Sequence, residues 1–150
     1  MKHLIYILLL AMTCSFASCT HNNGDIGDWF GTWKLEKIEV DGNPADYDGN
    51  IIWKFQSDIV WMGVVDDVMH TATNSYGTWT CIDDILTLNF TYSDNNFPNP
   101  GTGQYAPPSQ TLIPSGITEM SVLELSSSRI RLLYKRPDGS AVMYHLSKWG

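Results

Sequence analysis

From residue 31 to the carboxyl end, apolar side chains recur at every second position over short runs. Ile51, Trp53 and Phe55 form one run, Leu86, Leu88, Phe90 and Tyr92 another, and Ile130, Leu132 and Tyr134 a third, flanked by Arg129, Arg131 and Lys135 on alternate positions. Successive side chains of a strand point to opposite faces, so a period of two marks strands with one buried face. No stretch sustains the 3.6-residue period of an amphipathic helix. The pattern predicts an all-β domain with strands at 31–40, 50–57, 59–65, 76–82, 85–92, 119–125, 129–136 and 140–148.

The breaks between these runs are short and rich in turn formers. Ser57 with Asp58, Asp83 with Asp84, and Ser126 with Ser127 and Ser128 are hairpin-length links. Pro137 presets a type I turn that Gly139 completes in the left-handed region. Short links join neighbours antiparallel, which predicts an eight-stranded up-and-down meander, and closure into a barrel removes its two exposed edges.

Alternation also assigns faces. Trp53 and Phe55 point inward with Ile51; Gly77, Trp79 and Cys81 oppose Thr78 and Thr80; Leu123 and Leu125 oppose Glu124. Leu88, Phe90 and Tyr92, then Leu132 and Tyr134, continue the interior, and His145 alternates with Ala141 and Met143 as a polar group facing it. These side chains are the candidate lining of a ligand cavity, or core. An eight-stranded barrel has an interior just wide enough for side chains or one small ligand.

Residues 93–116 break the rhythm and hold five of the seven prolines: Pro98, Pro100, Pro107, Pro108 and Pro114. A connection of this length in a small domain is functional or loosely ordered. Phe97, Tyr105, Leu112 and Ile113 give it enough apolar surface to fold down as a lid over a barrel mouth; a plain surface insertion is the alternative.

The amino terminus carries a different signal. Lys2 and His3 precede an apolar run from Leu4 to Met12, and small residues at Ala17 and Ser18 stand directly before Cys19. The run is too short for the roughly 20 residues of a spanning helix and reads as a secretory signal peptide over residues 1–18. Ala17-Ser18-Cys19 is similar to the lipobox of bacterial lipoproteins, which implies lipid attachment at Cys19 and a membrane anchor, since each buried methylene contributes about 0.8 kcal/mol. Ordinary secretion with Cys19 as a free thiol is the alternative. Residues 19–28, polar and rich in Asn and Gly, then form a flexible tether to a domain over residues 29–150.

The chain carries a formal charge of −7, and loss of Lys2 with the signal makes it more acidic. With no basic stripe, nucleic acid is excluded as a partner. Of three cysteines, Cys14 and Cys19 belong to the processed region, so Cys81 has no partner for an internal disulfide and reads as a small buried hydrophobe.

Gly31-Thr32-Trp33 on the first strand and Gly77-Thr78-Trp79 midway resemble the G-x-W motif of the lipocalin and wider calycin fold, as found in lipocalin-like domains of bacterial envelope lipoproteins. The resemblance covers residues 29–149. It implies a barrel in which Gly31 permits a bend or close approach and Trp33 plugs one end. It also implies a late-strand arginine over Trp33, for which Arg131 and Arg136 are the candidates.

Catalytic signatures are missing: there is no nucleophile elbow, phosphate loop or Cys-x-x-Cys pair. Asp41, Asn43, Asp46, Asp48 and Asn50 supply oxygens of the kind calcium takes, but Pro44 interrupts them and the spacing fails the EF-hand pattern, so turn chemistry is the expectation. Asp66, Asp67 and His70 read as loop polarity. The sequence therefore predicts a non-catalytic binding module without metal or cofactor, lipid-tethered at the bacterial cell envelope, in the outer membrane, with a small apolar or amphipathic ligand. The alternative is an accessory domain with a packed barrel that assists an envelope protein complex.

Overall fold

The computed structural model describes residues 27–66 and 71–150. After a single 3-10 turn at Gly27–Trp29, the chain forms β1 (Gly31–Val40), β2 (Asn43–Pro44), β3 (Ile51–Gln56), β4 (Ile59–Asp66), β5 (Thr71–Ile82), β6 (Ile85–Phe90), β7 (Gly116–Leu125), β8 (Arg129–Lys135) and β9 (Ala141–Lys148). Apart from β2, which is only a short flap on the end of β1, each strand pairs antiparallel with the next, and β9 pairs back onto β1. The result is a closed eight-stranded up-and-down barrel, as the alternation predicts.

Turn chemistry sets the register. Asp83 and Asp84 both have positive φ, at 50° and 60°, which gives the β5–β6 hairpin the twist that a two-residue connection favours. Gly139 takes φ 90° in the β8–β9 turn.

Two β-bulges change which side chains face inward. In β1 the register against β9 shifts between Leu35 and Lys37, so Leu35 and Ile38 are both buried. In β7 it shifts between Val122 and Glu124. Leu123, expected inside, is consequently 46% exposed, while Val122 and Leu125 pack against the core. An extra residue on one strand reverses the parity of everything beyond it.

The end of the barrel where β1 begins is sealed by aromatic rings. Trp33 is fully buried, and its indole N–H donates to the Trp29 carbonyl at 2.9 Å. The Lys148 ammonium lies 4.3 Å from the centroid of the Trp33 ring and donates to the Phe30 carbonyl. Gly31 makes that approach possible: at φ 117° it has a conformation that L side chains rarely adopt, and a Cβ there would sit 2.7 Å from Lys148 Nζ. The cation over the tryptophan is thus Lys148, not Arg131 or Arg136. Arg131 points outward to Glu124 at 2.8 Å, and Arg136 lies in the turn at the opposite end.

Candidate functional site

Inside the barrel the aromatic side chains form a connected series. Trp29, Phe55 and Trp79 pack with centroid separations of 4.9, 5.0 and 5.4 Å. Trp53 continues the series, 6.2 Å from Phe55 and 6.0 Å from Tyr144. Leu88, Phe90 and Leu132 are fully buried beside them, and Tyr134 nearly so. Of the nine expected lining residues, Trp53, Phe55, Trp79, Leu88, Phe90, Leu132 and Tyr134 face the interior.

Tyr92 and His145 do not. The β6–β7 ladder ends at Phe90 opposite Gly116, so the chain has left the barrel wall two residues later and Tyr92 is 45% exposed. On β9 the buried set is Val142, Tyr144 and Leu146. His145 therefore projects outward, where its Nε2 meets Glu39 Oε2 at 2.6 Å. Bonds from Lys37 and then His145 hold the Glu39 carboxyl below its ordinary range.

The segment between β6 and β7 lies across the mouth opposite the Trp33 plug. Thr111 and Ile113 of this segment are buried against the interior, and Pro107 and Pro108 are buried as well. Tyr144 donates its hydroxyl to the Thr111 carbonyl at 2.9 Å, and burial pushes that phenol well above its usual pKa. Thr111 Oγ1 in turn donates to the Pro108 carbonyl at 2.6 Å. Of the four expected lid residues, Ile113 enters the core and Leu112 packs against it. Phe97 and Tyr105 instead brace the strap from within: a Cβ on Gly103 would lie 2.0 Å from the Phe97 ring, and Tyr105 donates to Asp94 at 2.9 Å.

Asp94 organises the strap. Its carboxylate accepts from the Asn96 and Phe97 amides at 2.8 Å each, from Gln104 at 3.1 Å and from Tyr105. These bonds, the Phe97 amide first, hold its pKa below the usual value. Because the native pKa is depressed, the bonds strengthen the fold above the unfolded-state pKa of about 3.9 and are lost as pH falls through the native value. The amide resonances of Asn96 and Phe97 should therefore titrate with a midpoint below about 3.9. A midpoint at or above that value would mean that the carboxylate does not organise this turn.

At the same mouth, Tyr47 pins the β2–β3 loop by donating to the Leu35 carbonyl at 2.8 Å and accepting from the Ile51 amide at 2.9 Å, and burial pushes its phenol up to about 12. In the β1–β2 turn Asp41 accepts from the Ala141 amide at 2.9 Å, a turn role. Among the described residues no cluster of His, Cys, Asp and Glu has metal-holding geometry. Asp66 ends β4, whereas Asp67, His70 and Cys19 lie outside the described residues. The half-buried Cys81 thiol is pushed up by desolvation and then by Asp84, which disfavours the nucleophilic thiolate.

Three polar atoms in this interior have no hydrogen-bond partner: Trp53 Nε1, Trp79 Nε1 and Thr118 Oγ1. Trp79, Leu88 and Thr118 stand in one row across β5, β6 and β7. Above the Ser121–Leu133 rung β7 and β8 are no longer paired, and a cleft of about 480 Å³ opens there, with Ile117, Thr118, Met120, Tyr134 and Lys135 among its walls. Thr118 carries no signal in the sequence, because a threonine among apolar alternates is not distinctive until its neighbours across the sheet are known.

A family model for a lipocalin-like domain matches residues 12–136. The chain belongs to the lipocalin-like family. A lipocalin-like protein of Bacteroides uniformis has a similar structure, with a TM-score of 0.56 at 19% identity over 82% of this chain and 100% of that one. An uncharacterised protein of Bacteroides eggerthii is similar with a TM-score of 0.54 at 20% identity, over 81% and 99% of the two chains. At this identity the likeness shows a common fold. No curated protein matches the sequence. The lipocalin-like barrel of this chain thus pairs a sealed base with a mouth covered by its Asp94-centred strap.

Proposed function

We propose that this lipocalin-like domain is a membrane-tethered, non-catalytic binding module for a small apolar or amphipathic molecule. The observation that carries the reading is the asymmetry of the two barrel ends. One is closed by the buried Trp33 under Lys148, and the other is covered by an irregular strap that enters the interior with Ile113 and receives the Tyr144 hydroxyl at the Thr111 carbonyl. A cover made of short 3-10 turns outside the strand ladder is of the kind that opens locally without unfolding the wall. N-phenyl-1-naphthylamine, an uncharged fluorophore that brightens in apolar surroundings, should bind saturably with a blue-shifted emission.

The close aromatic series through Trp29, Phe55, Trp53 and Tyr144 favours a second reading, an accessory domain with a packed interior that works through its outer surface. Outward-facing Ile82, Ile117 and Leu123, all exposed, supply apolar surface for such contacts. Absence of saturable probe binding would select this reading.

In either case the anchor is lipid on Cys19, and the place is the bacterial cell envelope. The support is the short apolar run and the small residues before Cys19. No helix among the described residues is long and apolar enough to cross a membrane. Cys19→Ala should move the protein from the membrane fraction to the soluble one. Retention of the variant with the membranes would overturn the lipid anchor.

A further inference from the structure

The interior of the barrel holds hydrogen-bond donors that no protein group meets. Trp53, Trp79 and Thr118 are more than nine-tenths buried, and each presents a polar atom without a partner. All three lie on the inward parity of their strands, with Trp53 between Ile51 and Phe55 and Thr118 two residues from buried Met120. An indole nitrogen can only donate a hydrogen bond, and a threonine hydroxyl can donate as well as accept. A buried donor left unmet is costly, and each such group on the inward face of the barrel calls for a partner.

The interior also lacks charge. Among the described residues the buried polar and charged side chains are Ser75, Thr111 and Thr118, and no Lys, Arg, His, Asp or Glu is buried. Lys148, which lies over a buried ring, is committed to Trp33 and the Phe30 carbonyl at the sealed end. A carboxylate entering this space would leave water without a countercharge, which is far more costly than burying a neutral carbonyl that finds a donor.

We infer that the molecule held by this barrel is uncharged and bears acceptor oxygens, of ketone or ester type on an apolar skeleton, which receive the Trp53 and Trp79 indole N–H groups and the Thr118 hydroxyl. The inference rests on the binding-module reading and deepens it. Thr118 is also one of the residues lining the cleft between β7 and β8.

The test is displacement of N-phenyl-1-naphthylamine from the purified mature chain at neutral pH by 2-decanone and by decanoate, in the parent and in Thr118→Val and Thr118→Ser. The ketone should displace the probe at least ~10-fold more effectively than the anion. Thr118→Val keeps the shape and removes the hydroxyl. It should weaken ketone binding about 3- to 10-fold while leaving the affinity for the probe, which has no oxygen, unchanged. Without ligand its melting temperature should be equal or higher, because an unmet buried group is gone. Thr118→Ser should retain ketone binding. Decanoate competing as well as the ketone, or a ketone affinity indifferent to Thr118→Val, would overturn the inference while probe binding upheld the module. Failure of the probe and both competitors to bind would overturn both.

Discussion

Replacing Trp33 by alanine should destabilise the protein by about 3–5 kcal/mol, the range for truncating a large buried aromatic. The ring is fully buried and closes one end of the barrel, so its removal opens a cavity where β1, β3 and β9 meet. Two further contacts go with it: the indole bond to the Trp29 carbonyl and the Lys148 ammonium over the ring. A loss of this size is a large share of the 5–15 kcal/mol that holds a typical domain together. If Trp33→Ala is too unstable to purify, Trp33→Phe keeps most of the apolar volume and removes the N–H bond, and should cost about 1–2 kcal/mol. Urea unfolding followed by circular dichroism measures both. Ile82→Ala, at a site 69% exposed, should stay within about 0.5 kcal/mol of the parent. An unchanged midpoint for Trp33→Ala would show that the barrel does not depend on this plug.

How much of this was legible in the sequence follows from what alternation can and cannot encode. Alternation places Trp53 with Phe55, and Ile130 with Leu132 and Tyr134, on the inward face because each lies in a strand without a bulge. Leu123 was misplaced because a bulge adds one residue and leaves no mark in composition. His145 was misplaced because β9 offers apolar residues on both parities: Ala141 and Met143 on one, Val142, Tyr144 and Leu146 on the other. Only the pairing with β1 and β8 decides between them. Tyr92 continues the β6 rhythm beyond the last rung of the ladder, and a sequence does not show where pairing stops.

The candidate site divides the same way. Its apolar lining was readable, because burial follows from strand parity. The strap was recognisable as an irregular, proline-rich insertion, but not the carboxylate that orders it: Asp94 acts through backbone amides and side chains spread from Asn96 to Tyr105. Lys148 carries no local signal for a related reason. Its role depends on the antiparallel pairing of β1 with β9, which sets it beside Trp33 despite their distance along the chain. The unmet donors were equally invisible, since a tryptophan on a strand reads as core until the surroundings of its nitrogen are known.

Ile113→Ala should cost about 2–4 kcal/mol and, more tellingly, should loosen the strap before the wall. Ile113 is the buried apolar anchor of the segment, next to Thr111, whose carbonyl receives the Tyr144 hydroxyl. The flanking Leu112 holds a left-handed conformation at φ 60°, which is strained for a non-glycine residue and is sustained by the packing on either side. With the isoleucine truncated, that packing weakens and the hydrogen bond to Tyr144 loses its alignment. The strands are unaffected locally, since the β6–β7 ladder runs from Ile85–Ser121 to Phe90–Gly116 without involving Ile113. Native-state hydrogen exchange should therefore show faster exchange at the Leu112 and Ile113 amides than global unfolding explains, with the β5 and β6 amides exchanging only through the global route. Dissociation of N-phenyl-1-naphthylamine should accelerate in parallel, because the strap would open more often. Uniform acceleration of all amides would mean that strap and barrel open as one unit, and the strap would then be part of the core instead of a cover over it.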